Sequence, residues 1–373
     1  MSSDSLNQIN QGPDTLSKDG ASGVTVPAGS DCQPSHLAHP SPCVLLDNIK
    51  AEACRLGFSA CGASPADAVR SDHALAFTRW LEDGRNAGMD YMGRYMDLRL
   101  DPRLLMPGAR SVISVALSYY PRQTLRPDQY QFAYYAYGKD YHDVVRHKLQ
   151  QLVSAVLPDA ACRICVDTAP ILERYWAVQS GLGWIGRNKT LNVPQVGSFV
   201  FLGEIVTSAQ LDHYDSPIVS GCGHCRLCVG ACPSGALCED SSVNTCDSSP
   251  ADGQTADSTA FFHSTMLDAR RCLSCQTIEH KGDFSDEIAV YVKNQQHPKY
   301  IYGCDRCQLV CPHNRGARPT TVDEFVPEAS FMNMKPEDWH HLTPEQFQSL
   351  FRGSAVKRVK YEGLIRNIRY CRS

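Results

Sequence analysis

Two cysteine runs constrain this chain more than any other feature. The first reads Cys222-x2-Cys225-x2-Cys228-x3-Cys232-Pro233, and the second reads Cys304-x2-Cys307-x3-Cys311-Pro312. A single Cys272 lies between them. Thiolates at this density suit soft metals, and runs of this spacing closed by Cys-Pro suit cubane iron–sulfur clusters.

In proteins with two such cubanes, the fourth cysteine of each run ligates the cluster of the other run. Applied here, Cys222, Cys225, Cys228 and Cys311 would hold one cluster. Cys304, Cys307 and Cys232 would hold the second, with Cys272 as its fourth ligand. Cys275, three residues on, competes for that last place. A pair of structural zinc sites is the plainer alternative, because zinc also takes four thiolates. The closely spaced pattern favours iron. The other cysteines, Cys162-x2-Cys165 included, show no ligand pattern, and buried thiols account for them.

The chain has 373 residues, enough for two or three cores, and 43% of them are hydrophobic. A net charge of -4 gives no global attraction to nucleic acid or to an anionic membrane. No stretch approaches the ~20 apolar residues of a spanning helix. The opening Met1-Ser2-Ser3-Asp4 lacks the basic and apolar regions of an export signal, so a cytoplasmic protein without membrane contact is expected. In that compartment 18 cysteines point to metal ligation rather than to disulfides.

Residues 1–42 are rich in Ser, Pro, Gly and Asp and read as a disordered extension. Order is expected from Val44, with helices through Leu56 and over Ala74–Asp83. Ser111–Ser118 reads as a buried strand, and Arg163–Val166 as a shorter one. Between them Val145, Leu149, Leu152, Val153 and Val156 recur at helical spacing, with Asp140 as a cap. A helix is expected over Ile171–Ser180 with Pro170 in its first turn, then a strand from Ser198 into Val206. Residues 43–214 thus form a mixed α/β domain. The cysteine module spans 215–320, interrupted by a polar insertion at 238–264, and 321–373 is a short, basic helical region.

Two motifs are decoys. Gly181-Leu-Gly183-Trp-Ile-Gly186 matches G-x-G-x-x-G, but it follows a helix and precedes a strand. A dinucleotide site needs the reverse order. What remains is a tight loop whose bare backbone admits a flat or phosphate-bearing group. Asp140-Tyr-His142 resembles a D-x-H-x-x-G cobalamin signature, but Val145 replaces its glycine, so His142 reads as a polar contact.

Several stretches together resemble the epoxyqueuosine reductase family. They are Pro107–Val115, Tyr135–His142, Val166-Asp-Thr-Ala-Pro-Ile-Leu-Glu-Arg174, Gly181–Gly186 and Ser198–Glu204. The first cysteine run, Leu267–Cys272, Thr277–Gly282, Tyr302–Pro312, Gly353–Arg358 and Gly363–Ile368 complete the set. The resemblance spans roughly 44–370. The head, the insertion and Cys275, where the family often has tyrosine, depart from it.

The resemblance implies an α+β fold. A mixed α/β cobalamin-binding domain would precede a ferredoxin-like module with two [4Fe-4S] clusters and a short helical C-terminal region. It implies reduction of epoxyqueuosine to queuosine at the wobble position of tRNA, with cob(II)alamin as second cofactor. Asp167 falls at the family's proposed proton donor, although position alone suits a helix cap. For cobalamin the resemblance carries over Arg94, Asp167, Lys189, Ser198, Ser274 and Asp305, and for tRNA it carries over Thr277. Arg94 alone reads as a solvated surface arginine and Ser198 as a strand-edge hydroxyl. The basic tail Lys357-Arg358-Val-Lys360 through Arg366, Arg369 and Arg372 could meet phosphate or simply solvate a helix. A monomer is expected, served by a low-potential electron donor. A reductive dehalogenase built from the same cofactors and a non-catalytic ferredoxin-type carrier are the competing readings.

Overall fold

The computed structural model describes residues 45–239 and 265–372. The head read as disordered, and 240–264 of the insertion, lie outside the described residues. The strands in chain order are β1 Ala60–Pro65, β2 Ser111–Ser118, β3 Gln131–Phe132, β4 Cys162–Cys165, β5 Trp184–Ile185, β6 Leu191–Asn192, β7 Val200–Thr207, β8 Leu237–Glu239, β9 Thr265–Leu267 and β10 Tyr300–Tyr302.

The main sheet has the order β1-β2-β7-β4 and is antiparallel throughout. β2 lies inside it with both faces covered, which is why its sequence is a continuous apolar run rather than an alternating one. On one face Ile113, Val115, Leu117 and Ile205 pack against helices Leu45–Arg55 and Tyr141–Val156. The second helix buries Val144, Val145, Leu149 and Leu152, and Asp140 caps it by accepting from His142 N at 3.1 Å. Truncating the fully buried Leu149 to alanine costs ~2–5 kcal/mol. On the other face Ala116, Val112, Cys165 and Val206 meet helix Glu173–Gln179. That helix starts later than the sequence suggests. Tight turns, Thr168 N to Val166 O and Ile171 N to Ala169 O, bend the chain first and leave Pro170 in the loop.

A second core gathers around Phe132, Tyr302, Phe331, Trp339, Phe347 and Phe351. β3 pairs there with β10 in parallel. Residues from Leu125 to Tyr137 therefore leave the first core and pack with the C-terminal third. The cores do not divide at one point along the chain, and Cys43–Ser373 forms a single compact unit. β8 pairs with β9, so Cys238 and Glu239 are ladder residues at the foot of the insertion. Among the described residues no helix is long and apolar enough to cross a membrane.

Candidate active site and thiol pockets

Cys222, Cys225 and Cys228 come from a turn and the short helix Leu227–Gly230. Cys311 comes from the end of helix Arg306–Leu309. These four thiols line one pocket with Arg187, Asn188, Asn192 and His313. His313 Nε2 meets Gly221 O at 3.0 Å and fastens the end of the second run to the start of the first. Among the described residues no three His, Cys, Asp or Glu groups converge on a point that could hold a single ion.

Cys232, the fourth cysteine of the first run, is not in that pocket. It stands with Cys272, Cys304 and Cys307, whose charges act on one another. Burial is the main cause of the raised Cys304 pKa, about 12. Backbone N–H groups of Ser274 and Cys275 point at Cys272, that of Arg306 at Cys304, and Ala236 N donates to Cys232 Sγ at 3.2 Å. Of this foursome Cys275 feels only Cys272, and its other charged neighbours are Glu279 and Tyr91. The runs thus exchange members between two four-thiol sites.

β4 ends at Cys165, and the chain leaves the sheet at Asp167 with φ 55°. This left-handed conformation is uncommon outside glycine and marks local strain. The carboxylate stays more than half accessible, at 55% of its side chain. His142 Nε2 lies 3.0 Å from Asp167 Oδ2, and His142 Nδ1 lies 2.6 Å from Asp140 Oδ1. Burial alone would depress the imidazole, but the two carboxylates outweigh it and raise His142 to about 9. Burial would likewise raise Asp167, but the bond to His142 holds it below the usual range. Asp167 N donates to Glu173 Oε1. Burial and then the Asp167 charge push Glu173 up to about 8. Tyr91 and Arg358 form a cation–π pair, and both are close enough to Asp167 to feel its charge.

The remaining predicted residues are scattered around this centre. Arg94 is exposed. Lys189 is half-buried at φ 61°, and its carbonyl accepts from Arg174 beside Glu173. Ser198 is buried, bonded to Gln308 and Asn314. Asp305 is also buried and accepts from Tyr134 N at 2.7 Å. Ser274 is half-buried beside Cys272. Thr277 has no exposed surface, and its hydroxyl bonds Leu273 O and Gly303 N within the fold. The basic tail is mostly spent internally. Arg358 grips Glu279, Arg369 pairs with Asp283, and Arg366 is buried on the carbonyls of Gln276, His280 and Gly282.

Sequence reasoning passed over Glu173 and Glu204. Glu204 sits in the middle of β7, opposite Ser114 and Cys165, fully buried, with neither carboxylate oxygen partnered. An acid inside an apolar strand was the available signal. A further set of buried polar atoms has no partner: Trp176 Nε1, Gln179 Nε2, Trp184 Nε1, Asn188 Nδ2 and Thr190 Oγ1. All lie on helix Glu173–Gln179 or in the adjoining β5–β6 hairpin, and the two pack together.

An α+β fold with two four-thiol groups and an acid–imidazole pair at the end of β4 defines a thiol-rich α+β protein. A family model described as "Epoxyqueuosine reductase QueG, DUF1730" matches residues 99–168. An epoxyqueuosine reductase of Cellulophaga algicola is 38% identical over 325 residues, covering 86% of this chain and 96% of that one. The chain belongs to the epoxyqueuosine reductase family. A crystal structure of epoxyqueuosine reductase with a tRNA-Tyr epoxyqueuosine-modified stem loop superposes with TM-score 0.72 at 25% identity, over 87% of this chain and 80% of that one. So does the Bacillus subtilis enzyme with its catalytic aspartate loop swung out of the active site, at TM-score 0.72, 25% identity and the same coverage.

Proposed function

We propose that this protein reduces the epoxide of epoxyqueuosine at the tRNA wobble position to the alkene of queuosine. The observation that carries the reading is the exchange of cysteines between two four-thiol groups, in a fold that also pairs Asp167 with His142. The donor sets fit two [4Fe-4S] clusters: the first four thiols line one pocket, and the second four act on one another's charges and have backbone N–H groups aimed at sulfur. The five orphaned polar atoms between helix Glu173–Gln179 and the β5–β6 hairpin fit the amide and phosphate periphery of cobalamin, with Lys189 in the same loop. When bound, the clusters would pass electrons singly and the corrinoid would direct them at the epoxide carbon.

Removing an epoxide oxygen as water takes two electrons and two protons. The chain's task is proton supply and orientation. Near neutral pH the His142–Asp167 pair holds one proton, on the imidazole. A substrate covering the exposed side of Asp167 would strip water from the pair and favour its neutral form, moving that proton to Asp167 for donation. Glu173, also protonated below about 8, fixes the Asp167 backbone through its N–H. A solved relative has its catalytic aspartate on a loop that swings, and Asp167 sits on such an exposed loop at the end of a strand. The test is turnover of an epoxyqueuosine-bearing stem loop by the anaerobically reconstituted chain. Wild type should yield queuosine. No product from protein carrying both cofactors would overturn the assignment.

A further inference from the structure

The surface over the first thiol pocket is apolar at its centre and basic at its rim. Ile218, Val219, Leu227, Leu309 and Val310 are exposed there, Val219 to 72%. Helices Leu227–Gly230 and Arg306–Leu309 pack against each other, the first carrying exposed Leu227 and the second ending on exposed Leu309 and Val310. Cys225, which lines the pocket, is itself exposed. The thiols of the second group are all at least partly buried.

The two segments that carry these residues bear only basic charge of their own. Residues 216–238 and 306–322 contain no Asp or Glu, although the chain as a whole carries -4. They do contain His224, Arg226, Arg306, His313, Arg315 and Arg318. Arg226 is paired with Glu239, and Arg306 is turned to the carbonyls of Gln296 and Pro298. Arg315 and Arg318 are exposed. A basic rim around an apolar centre matches a protein partner of opposite charge, because the rim steers and the centre excludes water. A phosphate backbone would gain nothing from the apolar centre.

We infer that this face docks a small acidic one-electron carrier protein, which feeds electrons in through the Cys222, Cys225, Cys228 and Cys311 pocket. The inference rests on reading that pocket as a cluster site. Each encounter would oxidise the carrier by one electron, which a cluster held by these four thiols would accept. Two encounters supply the electrons that, with two protons, convert epoxide to alkene and water.

The experiment uses the reconstituted full chain and two probes, a bacterial flavodoxin and a bacterial ferredoxin, titrated by calorimetry at low and high salt. At least one should bind, more weakly as salt rises. The double variant Arg315→Glu/Arg318→Glu should lower that affinity ~10-fold or more. Its affinity for the tRNA stem loop and its turnover with dithionite should stay at wild-type levels. A matched reversal elsewhere, Arg55→Glu/Arg146→Glu, should leave carrier affinity unchanged. Three results would each overturn the inference: neither probe binds, the control variant weakens binding equally, or the Arg315/Arg318 variant loses stem-loop rather than carrier affinity. Dithionite-driven turnover reports on the reductase reading separately, so the two can fail independently.

Discussion

His142 and Asp167 face each other across 3.0 Å, from Nε2 to Oδ2, although 25 residues separate them in the chain. The pair joins the start of helix Tyr141–Val156 to the strained turn after β4, and Asp140 completes it from the other side of the ring.

Asp167→Asn keeps the size of the side chain but cannot hold or pass a proton. The variant should fold, bind both cofactors and lose turnover by ~10²–10⁴-fold. Quantifying queuosine from a modified stem loop checks this, with iron content and corrin absorption as controls. Full turnover would remove Asp167 from the mechanism.

The raised His142 pKa sets a pH window. The folded value, about 9, lies above the ordinary 6.5, so the ion pair's stabilisation is complete below about 6.5 and lost as pH rises through about 9. Its worth is on the order of 1–3 kcal/mol. His142→Gln should therefore have a lower melting temperature than wild type at pH 6.5, with the gap closing near pH 10. Parallel melting curves across that range would contradict the pairing.

Glu204 works in the opposite direction. Burial with no bond to either oxygen, then the nearby Glu173, raise its pKa well above the ordinary carboxylate value. Relative to the unfolded chain, its favourable contribution is complete below about 4.5 and lost as pH rises towards the folded value. Glu204→Gln stays neutral throughout. Its melting temperature relative to wild type should improve steadily from pH 5 to pH 8, and a constant offset would show that Glu204 is already ionised in the folded chain at pH 5.

The eighth thiol is separable from its neighbour. Cys272 stands among Cys232, Cys304 and Cys307, whereas Cys275 faces Tyr91 and Glu279. Cys275→Ala should retain the full iron complement after reconstitution, and Cys272→Ala should lose the second cluster's share. The reverse outcome would exchange the two assignments.

Much of this was legible in the chain. β2 announced itself because both its faces are covered, and Asp140 announced the helix it caps. β1 did not, because Ala60-Cys-Gly-Ala-Ser-Pro65 shows neither apolar mass nor alternation. Its small residues are there for space: a Cβ at Gly62 would collide with Ser180 O at the end of helix Glu173–Gln179. The tail shows where local pattern stops. Arg358, Arg366 and Arg369 read as one basic patch, but their partners Glu279, His280, Gly282 and Asp283 lie about 80 residues earlier. Local pattern reveals elements. It does not reveal which distant charges they meet.

Gly186 tests the link between the hairpin loop and the first thiol pocket. A Cβ there would collide with Asn192 Nδ2, lie 2.8 Å from Asn188 Oδ1 and come within 3.5 Å of Cys222 Sγ. All three neighbours line the pocket. Gly186→Ala must push them inward, where a cubane needs room. The variant should fold and keep the second cluster but take up about half the iron, since [4Fe-4S] centres load as whole units. Gly230, where a Cβ would meet nothing within 4 Å, provides the matched control. If Gly186→Ala and Gly230→Ala load iron equally, the hairpin does not shape that pocket.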